Sequence, residues 1–496
     1  MTRRLLKGIV VTVVTAAALF LVFFFGREYI RNYAFRLQMS SFAEPPAGSR
    51  VLVIAPHPDD ETLGPGILLS RLAKKGVQVR VVVMTNGDGF TDALAISYHE
   101  LKPRRQDYLS FGYMRQKETL AAMSLLGIPK NDVIFLGYPD GGLLHLWSAD
   151  NWTKPYTSLR TGQDHNPYTN APSPGAPYTG TSVVDDLTRI FQDFKPQYVI
   201  YPHPNDRHPD HLAAYCFTRY VLNKLGVQAQ QFEYLVHRGD WPVLFARHQS
   251  MFLVPPRTLV INNTDWYAFT LTSQEIKEKA QAIHKYTSQI RVMGPRLTAF
   301  DRKNELFAVF KDGAIPTIDQ PSAPAATTGT GVATARSSAG LARGPSNPDY
   351  HKYLLEQDPI SDVLFSTIEG SGDLVGLYGY RDKAGAFHFF LDAREHVRAD
   401  TRYVLDMITY HGTVETGRIV VNSHDGQATG SVTRAQGAGL SEESITGVTV
   451  GTFGHTVEIA IPAKYLAGTD RYFIGATSYS FGFRMDSMAW RFYVLE

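Results

Sequence analysis

Two short polar motifs carry the residues with the most chemistry in this sequence. "HPDDE", residues 57–61, follows the apolar run "VLVIA", and "HPNDRHPDH", residues 203–211, follows "YVIYP". Imidazole and carboxylate groups are ligands that suit zinc, iron and related divalent ions. Two histidines and a carboxylate, with positions left open for water and substrate, would make a hydrolytic metal site. A carboxylate that does not bind the metal could then act as the base that deprotonates water.

Each motif taken alone has a simpler interpretation. Aspartate is favoured at a helix start by capping and by the helix dipole, so either motif could be a polar turn that caps the next helix. Both motifs, however, end an apolar strand, and ligands of parallel α/β sheets bind beyond the carboxyl ends of the strands. The combination therefore favours one shared site over two independent caps.

The elements that must position these motifs alternate along residues 49–312. Strands are predicted for "RVLVIA", "VQVRVVVMT", "DVIFLG" and "PQYVIYP", with helices near 62–75, 114–127, 183–194 and 209–224. Such alternation predicts an α/β, Rossmann-like domain with a mostly parallel sheet. The long aromatic stretch within it, 139–182, is interpreted either as the packing of a large loop or as the lining of a substrate cleft.

The motifs also resemble those of a known family. "APHPDDETLGPG" with "DRHPDH" is similar to the PIG-L/LmbE-type N-acetylglucosaminyl deacetylases, which are zinc hydrolases with a Rossmann-like fold. Further matches follow in the family's order: "TNGDG" (85–89), "RQKETLAAMSLLG" (115–127), "GYPDGGL" (137–143) and "YTSQI…RKNELF" (286–307). The resemblance covers about residues 49–310.

The resemblance implies a role for particular residues of the first motif and of the end of the second. His57, Asp60 and His211 would bind the metal, either Zn²⁺ or another divalent ion such as Fe²⁺. Asp59 would be the general base acting on the metal-bound water. Glu61 is interpreted as a cap or as a residue that supports the ligands.

The remaining implied roles concern the leaving group and the sugar. His208 would stabilise the tetrahedral oxyanion or protonate the leaving amine, with Asp210 orienting it. Arg115 and Asp140 would contact sugar hydroxyls. His203 is a surplus histidine that could replace one of the assigned ones.

The N-terminal sequence predicts a membrane anchor at residues 1–27. The uncharged apolar run 8–26 would span about 28 Å as a helix, which is close to the thickness of the hydrocarbon core of a bilayer. The run is longer than the apolar part of a usual cleaved signal. With no second span in sight, the expectation is a single-pass protein whose catalytic domain lies outside the cytoplasm. Residues 28–48 are interpreted as a juxtamembrane connector.

The C-terminal third has a different composition. Residues 313–349, rich in Pro, Ala, Thr, Gly and Ser, predict a flexible linker. Alternating apolar runs between turn residues over 350–496 predict an all-β sandwich. This part resembles family 9 carbohydrate-binding modules and DOMON-like sandwiches, which would let Tyr378, Tyr380 or Tyr410 stack on sugar rings. The alternative is a sandwich that has only a structural role and binds no sugar.

Composition excludes several other classes of protein. The formal net charge of +2 and the lack of a basic stripe argue against a nucleic-acid binder. The one cysteine, Cys216, excludes an intramolecular disulfide and a cysteine-based zinc site. The sequence thus predicts a membrane-anchored, zinc-dependent enzyme that removes the acetyl group of an N-acetylglucosamine-containing polysaccharide, glycan or glycolipid. The alternatives are a metal-dependent hydrolase of another amide or ester, and a non-catalytic, membrane-anchored glycan-binding protein.

Overall fold

The computed structural model of the chain describes residues 3–239, 241–242, 247–259, 264–319, 345–347, 349–358, 370–436 and 439–496. The helices formed by these residues are α1 Arg3–Gln38, α2 Asp60–Leu63, α3 Gly66–Lys74, α4 Thr91–Tyr98, α5 Arg105–Leu125, α6 Leu143–Trp147, α7 Gly180–Phe194, α8 Pro209–Leu225, α9 Ser273–Ile283 and α10 Thr287–Thr298. The chain divides into two compact units. The first consists of Met1–Pro202, Ala229–Arg257 and Asp265–Val309, and the second of His203–Gln228, Thr258–Thr264 and Phe310–Glu496.

The described strands fall into three sheets. The first sheet consists of β1 Ser40–Ser41, β2 Arg50–Ala55, β3 Gln78–Thr85, β4 Val133–Tyr138, β5 Tyr198–Pro202, β6 Gln230–Tyr234, β7 Thr264–Thr270 and β8 Asn304–Phe310. The other two are built from β9 Gly313–Ile315, β10 Thr317–Ile318, β11 Leu354–Gln357, β12 Leu374–Asp382, β13 Phe387–Ala393, β14 Thr401–His411, β15 Val414–His424, β16 Gln427–Gln436, β17 Gly439–Ser444, β18 Thr449–Phe453, β19 Thr456–Ile461, β20 Arg471–Ser480, β21 Phe483–Ser487 and β22 Arg491–Leu495.

The sheet of the first unit has the strand order β1-β7-β8-β6-β5-β2-β3-β4. Strand β2 pairs in parallel with β3 and with β5, and the sheet continues in parallel to β4 on one side and to β6 on the other. Residues Val51–Ala55 of β2 are fully buried. A continuous apolar run is what a strand covered on both faces requires. The mostly parallel sheet predicted for this part of the chain is therefore present.

The helix predicted near residues 62–75 is in fact two helices. α2 ends at Leu63 and α3 begins at Gly66, with Pro65 between them. Proline lacks the backbone N–H that a continuous helix would use, and its ring clashes with the preceding turn.

The N-terminal helix is longer than the predicted anchor. Val11–Gln38 is long and apolar enough to cross a membrane by length and composition, with a mean hydropathy of 1.7, and signal sequences share these properties. The predicted connector of residues 28–48 is helical as far as Gln38, because this stretch lacks glycine and proline before residue 45. Asn32 fixes the end of the helix, since its side chain bonds the backbone N–H and C=O of Phe252 at 3.0 and 2.6 Å.

The second unit contains two β-sheets around one hydrophobic core. One sheet has the order β10-β12-β13-β19-β18 and the other β17-β16-β15-β14-β20-β22-β9, with β11 and β21 added at their sides. Apolar residues of both sheets, such as Phe389 and Ile459 from one and Met407 and Ile474 from the other, form the core. The all-β region predicted for the C-terminal part is thus present.

The first residues of the predicted linker are part of these sheets. β9 pairs in parallel with β22, and β10 pairs in parallel with β12. Ile315 is fully buried in the core, which explains why the chain is ordered here despite its composition. Residues 320–344 and 348 of the predicted linker lie outside the described residues.

Two of the three tyrosines predicted to stack on sugars are buried. Tyr380 and Tyr410 are each 1% exposed, because the alternation of their strands points both side chains inward. Tyr378 is partly buried, and its ring contacts those of Tyr350 and His351. The expectation of an aromatic sugar platform at Tyr380 and Tyr410 is therefore wrong.

Candidate metal centre

The first motif forms a tight buried turn at the carboxyl end of β2. Asp59 has φ 127° and ψ −28°, a conformation that costs a non-glycine residue energy. Its carbonyl accepts the N–H groups of Thr62 and Leu63 at 2.9 and 2.8 Å, which starts α2. The strain is held by the fully buried strand before the turn and by the helix after it. Such strain is typical of positions where a side chain must point in one required direction.

Three potential metal ligands of the first unit lie close together. His57 Nδ1 is 3.3 Å from one carboxylate oxygen of Asp60, and His237 Nε2 is 3.6 Å from the other. One ligand atom from each of the three residues lies within 4.8 Å of those of the other two. Two imidazoles and a carboxylate form a donor set that suits Zn²⁺ or a similar divalent ion.

His237 was not predicted from the sequence. It follows β6, which is the parallel neighbour of β5, so it lies at the same carboxyl edge of the sheet as His57. The signal was available in principle, since "FEYLVH" is an apolar strand that ends in a histidine. A single histidine after a strand, without neighbouring histidines or aspartates, does not form a recognisable metal-binding motif.

Asp140 lies beside the proposed ligand His57. Its Oδ1 atom is 3.3 Å from His57 Nε2, and its Oδ2 atom accepts the N–H of Gly89 at 2.8 Å. Burial raises the pKa of Asp140, but the hydrogen bond and charge of His57 and the charge of Arg115 outweigh it, so the net pKa is lowered. A carboxylate on the second ring nitrogen is the usual partner of a metal-binding histidine. This contact gives Asp140 a role besides the predicted contact with sugar.

Arg115 is buried beneath the turn. Its guanidinium donates to the carbonyls of Pro58 and Gly87 at 2.5 and 3.0 Å, and Nη2 lies 3.2 Å from Asp59 Oδ2. Gly87, in the "TNGDG" motif, has φ +60°, and a Cβ there would lie 1.8 Å from Arg115 Nη1. The surroundings of Arg115 indicate that it positions Asp59 and the turn. The contact with sugar hydroxyls stays a prediction.

Asp59 has the properties of a general base. Burial raises its pKa to about 7, against the charge of Arg115, which lowers it. A carboxyl group with a pKa near neutrality can accept a proton from water far more readily than an ordinary aspartate. Asp59 also has its backbone fixed, since its N–H donates to Glu61 Oε2 at 3.1 Å.

Glu61 links this turn to Tyr286 through hydrogen bonds of its carboxylate. Tyr286 Oη donates to Glu61 Oε1 at 2.5 Å and is 2.7 Å from the hydroxyl of Thr62. Burial raises the pKa of Glu61 to about 7. Tyr286 opens the "YTSQI" stretch, so this motif and the first one are joined through a buried hydrogen bond.

The second motif belongs to the second unit and forms the start of α8. It follows directly on β5, the strand that pairs with β2 through Val53 and Ile200. Within it, His208 is the N-cap of α8, and its Nδ1 accepts the N–H of Asp210 at 3.2 Å. Asp210 and His211 are fully buried in the first turn.

Asp206 is a further site residue that sequence reasoning missed. Its Oδ2 atom is 3.1 Å from His211 Nδ1, and its Oδ1 atom accepts the N–H of His208 at 3.1 Å. A carboxylate on Nδ1 fixes the ring of His211 and directs Nε2 away from it. His203, the surplus histidine, is buried against the ring of Phe310 and accepts the N–H of Asn205.

Each predicted residue can be described within its own unit. His57, Asp59, Asp60, Arg115 and Asp140 surround one turn of the first unit, and His208, Asp210 and His211 begin one helix of the second.

The long stretch 139–182 is packed rather than open around its buried tyrosines. Tyr168 Oη donates to Asp88 at 2.6 Å, and Tyr178 Oη donates to the carbonyl of Gly137 at 3.0 Å. Both tyrosines are 1% exposed. For these two residues the packing interpretation is the correct one.

Comparison with known proteins finds deacetylases among the proteins that resemble part of this chain. Residues 52–222 match the model of the PIG-L family, described as GlcNAc-PI de-N-acetylase. The 1D-myo-inositol 2-acetamido-2-deoxy-alpha-D-glucopyranoside deacetylase of Corynebacterium diphtheriae is 29% identical over 182 residues, which are 36% of this chain and 54% of the relative. The corresponding deacetylase 1 of Saccharopolyspora erythraea is 31% identical over 185 residues, 36% of this chain and 55% of the relative. The chain spans about half the length of the curated relatives it matches.

Two solved structures of deacetylases are also similar. N,N'-diacetylchitobiose deacetylase from Pyrococcus horikoshii has a TM-score of 0.32 and 22% identity, with 52% of this chain and 82% of that chain covered. The zinc-inhibited form of teicoplanin deacetylase Orf2 has a TM-score of 0.34 and 20% identity, with 53% and 99% covered.

Proposed function

We propose that this chain is a divalent-metal-dependent N-deacetylase that acts on an N-acetylglucosamine unit of a glycan or glycolipid. The observation that carries the proposal is the close set of His57, Asp60 and His237 beside the buried base candidate Asp59. The family match over residues 52–222 and the names of the relatives supply the substrate class.

The proposed ligands are His57, Asp60 and His211, with His237 as an additional one. The donor set of the first unit fits Zn²⁺, since nitrogen and oxygen atoms converge within the reach of one ion. His211 is included on the strength of the sequence motif, and its ring is held by Asp206. A bound divalent ion supplies Lewis acidity, which polarises an amide carbonyl and makes water more acidic.

The proton transfers are assigned to residues of the chain itself. Asp59 accepts a proton from the attacking water, because its raised pKa and its fixed position beside Arg115 suit a base. The proton that Asp59 takes up is then passed to the departing amine. The Nδ1 atom of His208 accepts the N–H of Asp210, so the neutral ring carries its proton on Nε2, and this N–H can donate a hydrogen bond to the tetrahedral oxyanion.

The cellular setting of the proposal is a membrane surface. The helix α1 would anchor the protein, with the catalytic residues outside the cytoplasm. The apolar side chains of this helix support the idea, since Leu19, Phe20 and Phe23 are each about two-thirds exposed. Membrane fractionation combined with protease accessibility of the C-terminal part tests both the anchor and its orientation.

A release assay with defined sugars tests the activity. The full chain in detergent is incubated with N-acetylglucosaminyl-inositol, with N-acetylglucosaminyl-phosphatidylinositol and with N-acetylated chitooligosaccharides, and free amine and free acetate are measured together. Equal amounts of both are expected with at least one substrate. Asp59→Asn should lower this rate at least about a hundredfold, because proton transfer by a positioned base contributes that much.

The matched control for this variant is Asp185→Asn, which changes an exposed aspartate on α7. It should leave the rate unchanged. Acetate release from other acyl amides or esters, with none from the N-acetylated sugars, would favour the other hydrolase class and contradict the proposal. Equal activity of the Asp59→Asn and parent proteins would contradict the assigned base.

A further inference from the structure

The β-sheet region of the second unit carries a concave surface that the proposed activity does not use. It is a cavity of about 550 Å³ at one end of the sheet that contains β14, β15, β16 and β20. We call it the β-groove. Its floor is made by residues that lie directly opposite one another, Tyr479 with Arg402 and His424 with Gln427. Side chains of such pairs share one face of a sheet, so the β-groove is a continuous surface across four strands.

The polar floor of the β-groove is held in a fixed arrangement. Arg402 Nη1 donates to Asn422 Oδ1 at 3.0 Å, and its guanidinium lies 4.2 Å from the centre of the Tyr479 ring. These two contacts restrain a long side chain that would otherwise lose much rotamer freedom on binding a ligand. Preorganised polar groups in a concave site are what small-molecule recognition requires.

An exposed aromatic ring forms one wall of the β-groove. Phe481 is 71% exposed and lines the cavity, and it has φ 52°, a left-handed conformation that is unfavourable for an aromatic residue. Gly482 follows in the same region of φ and completes the turn between β20 and β21. A turn at this position is expected to carry glycine or asparagine. The chain instead presents a large apolar ring to solvent at a conformational cost.

The chemistry of the lining selects the class of ligand. Asp400 is the one carboxylate of the lining and Arg402 the one guanidinium, so their formal charges offset each other. The rest of the polar lining consists of amide, hydroxyl and imidazole groups, including Gln427 and Thr429, which both donate and accept hydrogen bonds. A polyanion would require an excess of cations, and an apolar helix would require an apolar floor. Hydroxyl-rich, uncharged molecules with one apolar face match this combination.

We propose that the β-groove binds a neutral saccharide chain, with a sugar ring stacked on Phe481 and hydroxyls bonded to Arg402, Asn422 and Gln427. Four adjacent strands span about 14 Å, which suits an oligosaccharide better than one sugar. The proposal of a saccharide site depends only on residues of the second unit. Only the identity of the sugar, N-acetylglucosamine, rests on the proposed function.

Binding of a trisaccharide to the full chain tests the site. The protein carries Asp59→Asn so that the probe is not consumed, and N,N',N''-triacetylchitotriose and cellotriose are titrated by calorimetry. Phe481→Ala should weaken the binding of at least one of the two probes about tenfold or more, because a stacked aromatic anchor is lost. Asn422→Ala should weaken it as well.

The matched control is Phe483→Ala, which removes the other exposed phenylalanine of the same turn, 66% exposed and not part of the lining. It should leave binding within about twofold. Both variants keep the same catalytic residues, so a difference between them reports the β-groove. Equal binding by the two variants, or no binding of either probe at millimolar concentration, would overturn the proposal.

The activity of the groove variant separates this inference from the proposed function. In the chain with Asp59 intact, Phe481→Ala should release amine from a small N-acetylated substrate at the parent rate. A chain that binds the trisaccharide through Phe481 but releases no amine would contradict the deacetylase and leave the β-groove supported. A chain that releases amine but binds the trisaccharide equally well after Phe481→Ala would support the deacetylase and contradict the β-groove.

Discussion

At the scale of single residues, the turn around Asp59 depends on one buried guanidinium. Arg115 bonds two backbone carbonyls of neighbouring turns and also contacts the Asp59 carboxylate. Three separate stretches of sequence, residues 57–61, 85–89 and 115–127, therefore meet at one side chain. This explains physically why these stretches occur together.

Substitution of Gly87 tests this junction. Gly87→Ala should displace Arg115, because the new Cβ would lie 1.8 Å from its Nη1 atom. We expect amine release to fall by an order of magnitude or more, together with a loss of stability of about 2 kcal/mol or more. Gly127→Ala is the control, since it has a similar positive φ of +83° but open space around the Cβ position.

The control should cost only the conformational term, about 1 kcal/mol, with the rate of amine release unchanged. Thermal unfolding and the release assay measure the two effects. An active Gly87→Ala protein with normal stability would contradict the positioning role of Arg115.

Asp88 predicts a pH dependence of stability. Burial and the charge of Asp140 raise its pKa to about 7, against the hydrogen bond from Tyr168, which lowers it. The folded protein therefore holds a proton that the unfolded chain has already lost above about pH 4. Because the native state binds more protons in this window, stability falls as the pH rises from about 4 to 7.

Asp88→Asn should remove this penalty. The amide oxygen can still accept the Tyr168 hydroxyl, so the variant should be more stable than the parent at about pH 8, by on the order of 1–3 kcal/mol. The difference should disappear near pH 5, where the parent carboxyl is protonated. Thermal unfolding at the two pH values measures it, and a variant that is less stable at both would contradict the raised pKa.

Residue-level prediction from sequence succeeded where residues come in motifs. His57, Asp59 and Asp60 surround one turn as expected, since a strand, a turn and a helix start are all local features. His237 and Asp206 were missed because their contacts depend on the positions of other segments. The sugar-contact role of Arg115 rests on the resemblance and stays a prediction. A resemblance cannot show that its side chain is buried.

Among the secondary-structure elements, the parallel strands β2 to β5 could be predicted from the sequence, but the strands that extend the sheet beyond β6 could not. Strands β2 to β5 are long apolar runs that follow helical patterns, and such alternation has few topological solutions. β7 and β8 extend the sheet beyond β6. Their pairing joins residues far apart in the chain, which no local pattern encodes.

The helix α8 is held by the β-sheet region. Arg219 pairs with Asp312 and lies 5.2 Å from the centre of the Phe492 ring, and Tyr220 donates to Glu415. Cys216 is fully buried among these contacts, as expected for a structural thiol. The helix that begins with the HPDH motif is therefore anchored to the C-terminal sheets.

Arg219→Ala should weaken this anchorage. It removes a largely buried cation from its carboxylate and from an aromatic ring, so we expect a loss of about 1–3 kcal/mol in the free energy of unfolding. Lys224→Ala, at an exposed position in the last turn of the same helix, should change it by less than about 0.5 kcal/mol. Urea unfolding measures both values, and equal values would contradict the anchoring role.

At the scale of the whole molecule, the sequence suggested a division into separate modules. It placed the catalytic domain in residues 49–312 and the sandwich in 350–496. These boundaries stay a prediction. One compact unit of the structure groups residues 203–228, which include α8, with the C-terminal sheets. Every residue of α8 from Asp210 to Asn223 is buried. A helix that is buried on all sides needs neighbours on all sides.

Truncation tests this division. A chain that ends at residue 312 should lose the packing of α8 on the sheets, so it should be insoluble or unfold without a cooperative transition. The chain with residues 320–344 shortened is the control, since it keeps all the residues of both compact units that the structure describes. A soluble, cooperatively folded chain that ends at residue 312 would contradict the structural role of the C-terminal sheets.

The central proposal is that this chain is a deacetylase that depends on one divalent ion bound by His57 and Asp60. Its most direct test is amine release from an N-acetylglucosamine substrate, measured while the chelated full chain is titrated with Zn²⁺ and its metal content is determined. We expect no release after chelation and a recovery that saturates near one ion per chain. The Asp59→Asn protein should bind the ion but release amine at least about a hundredfold more slowly. Full release by the chelated protein would contradict the account.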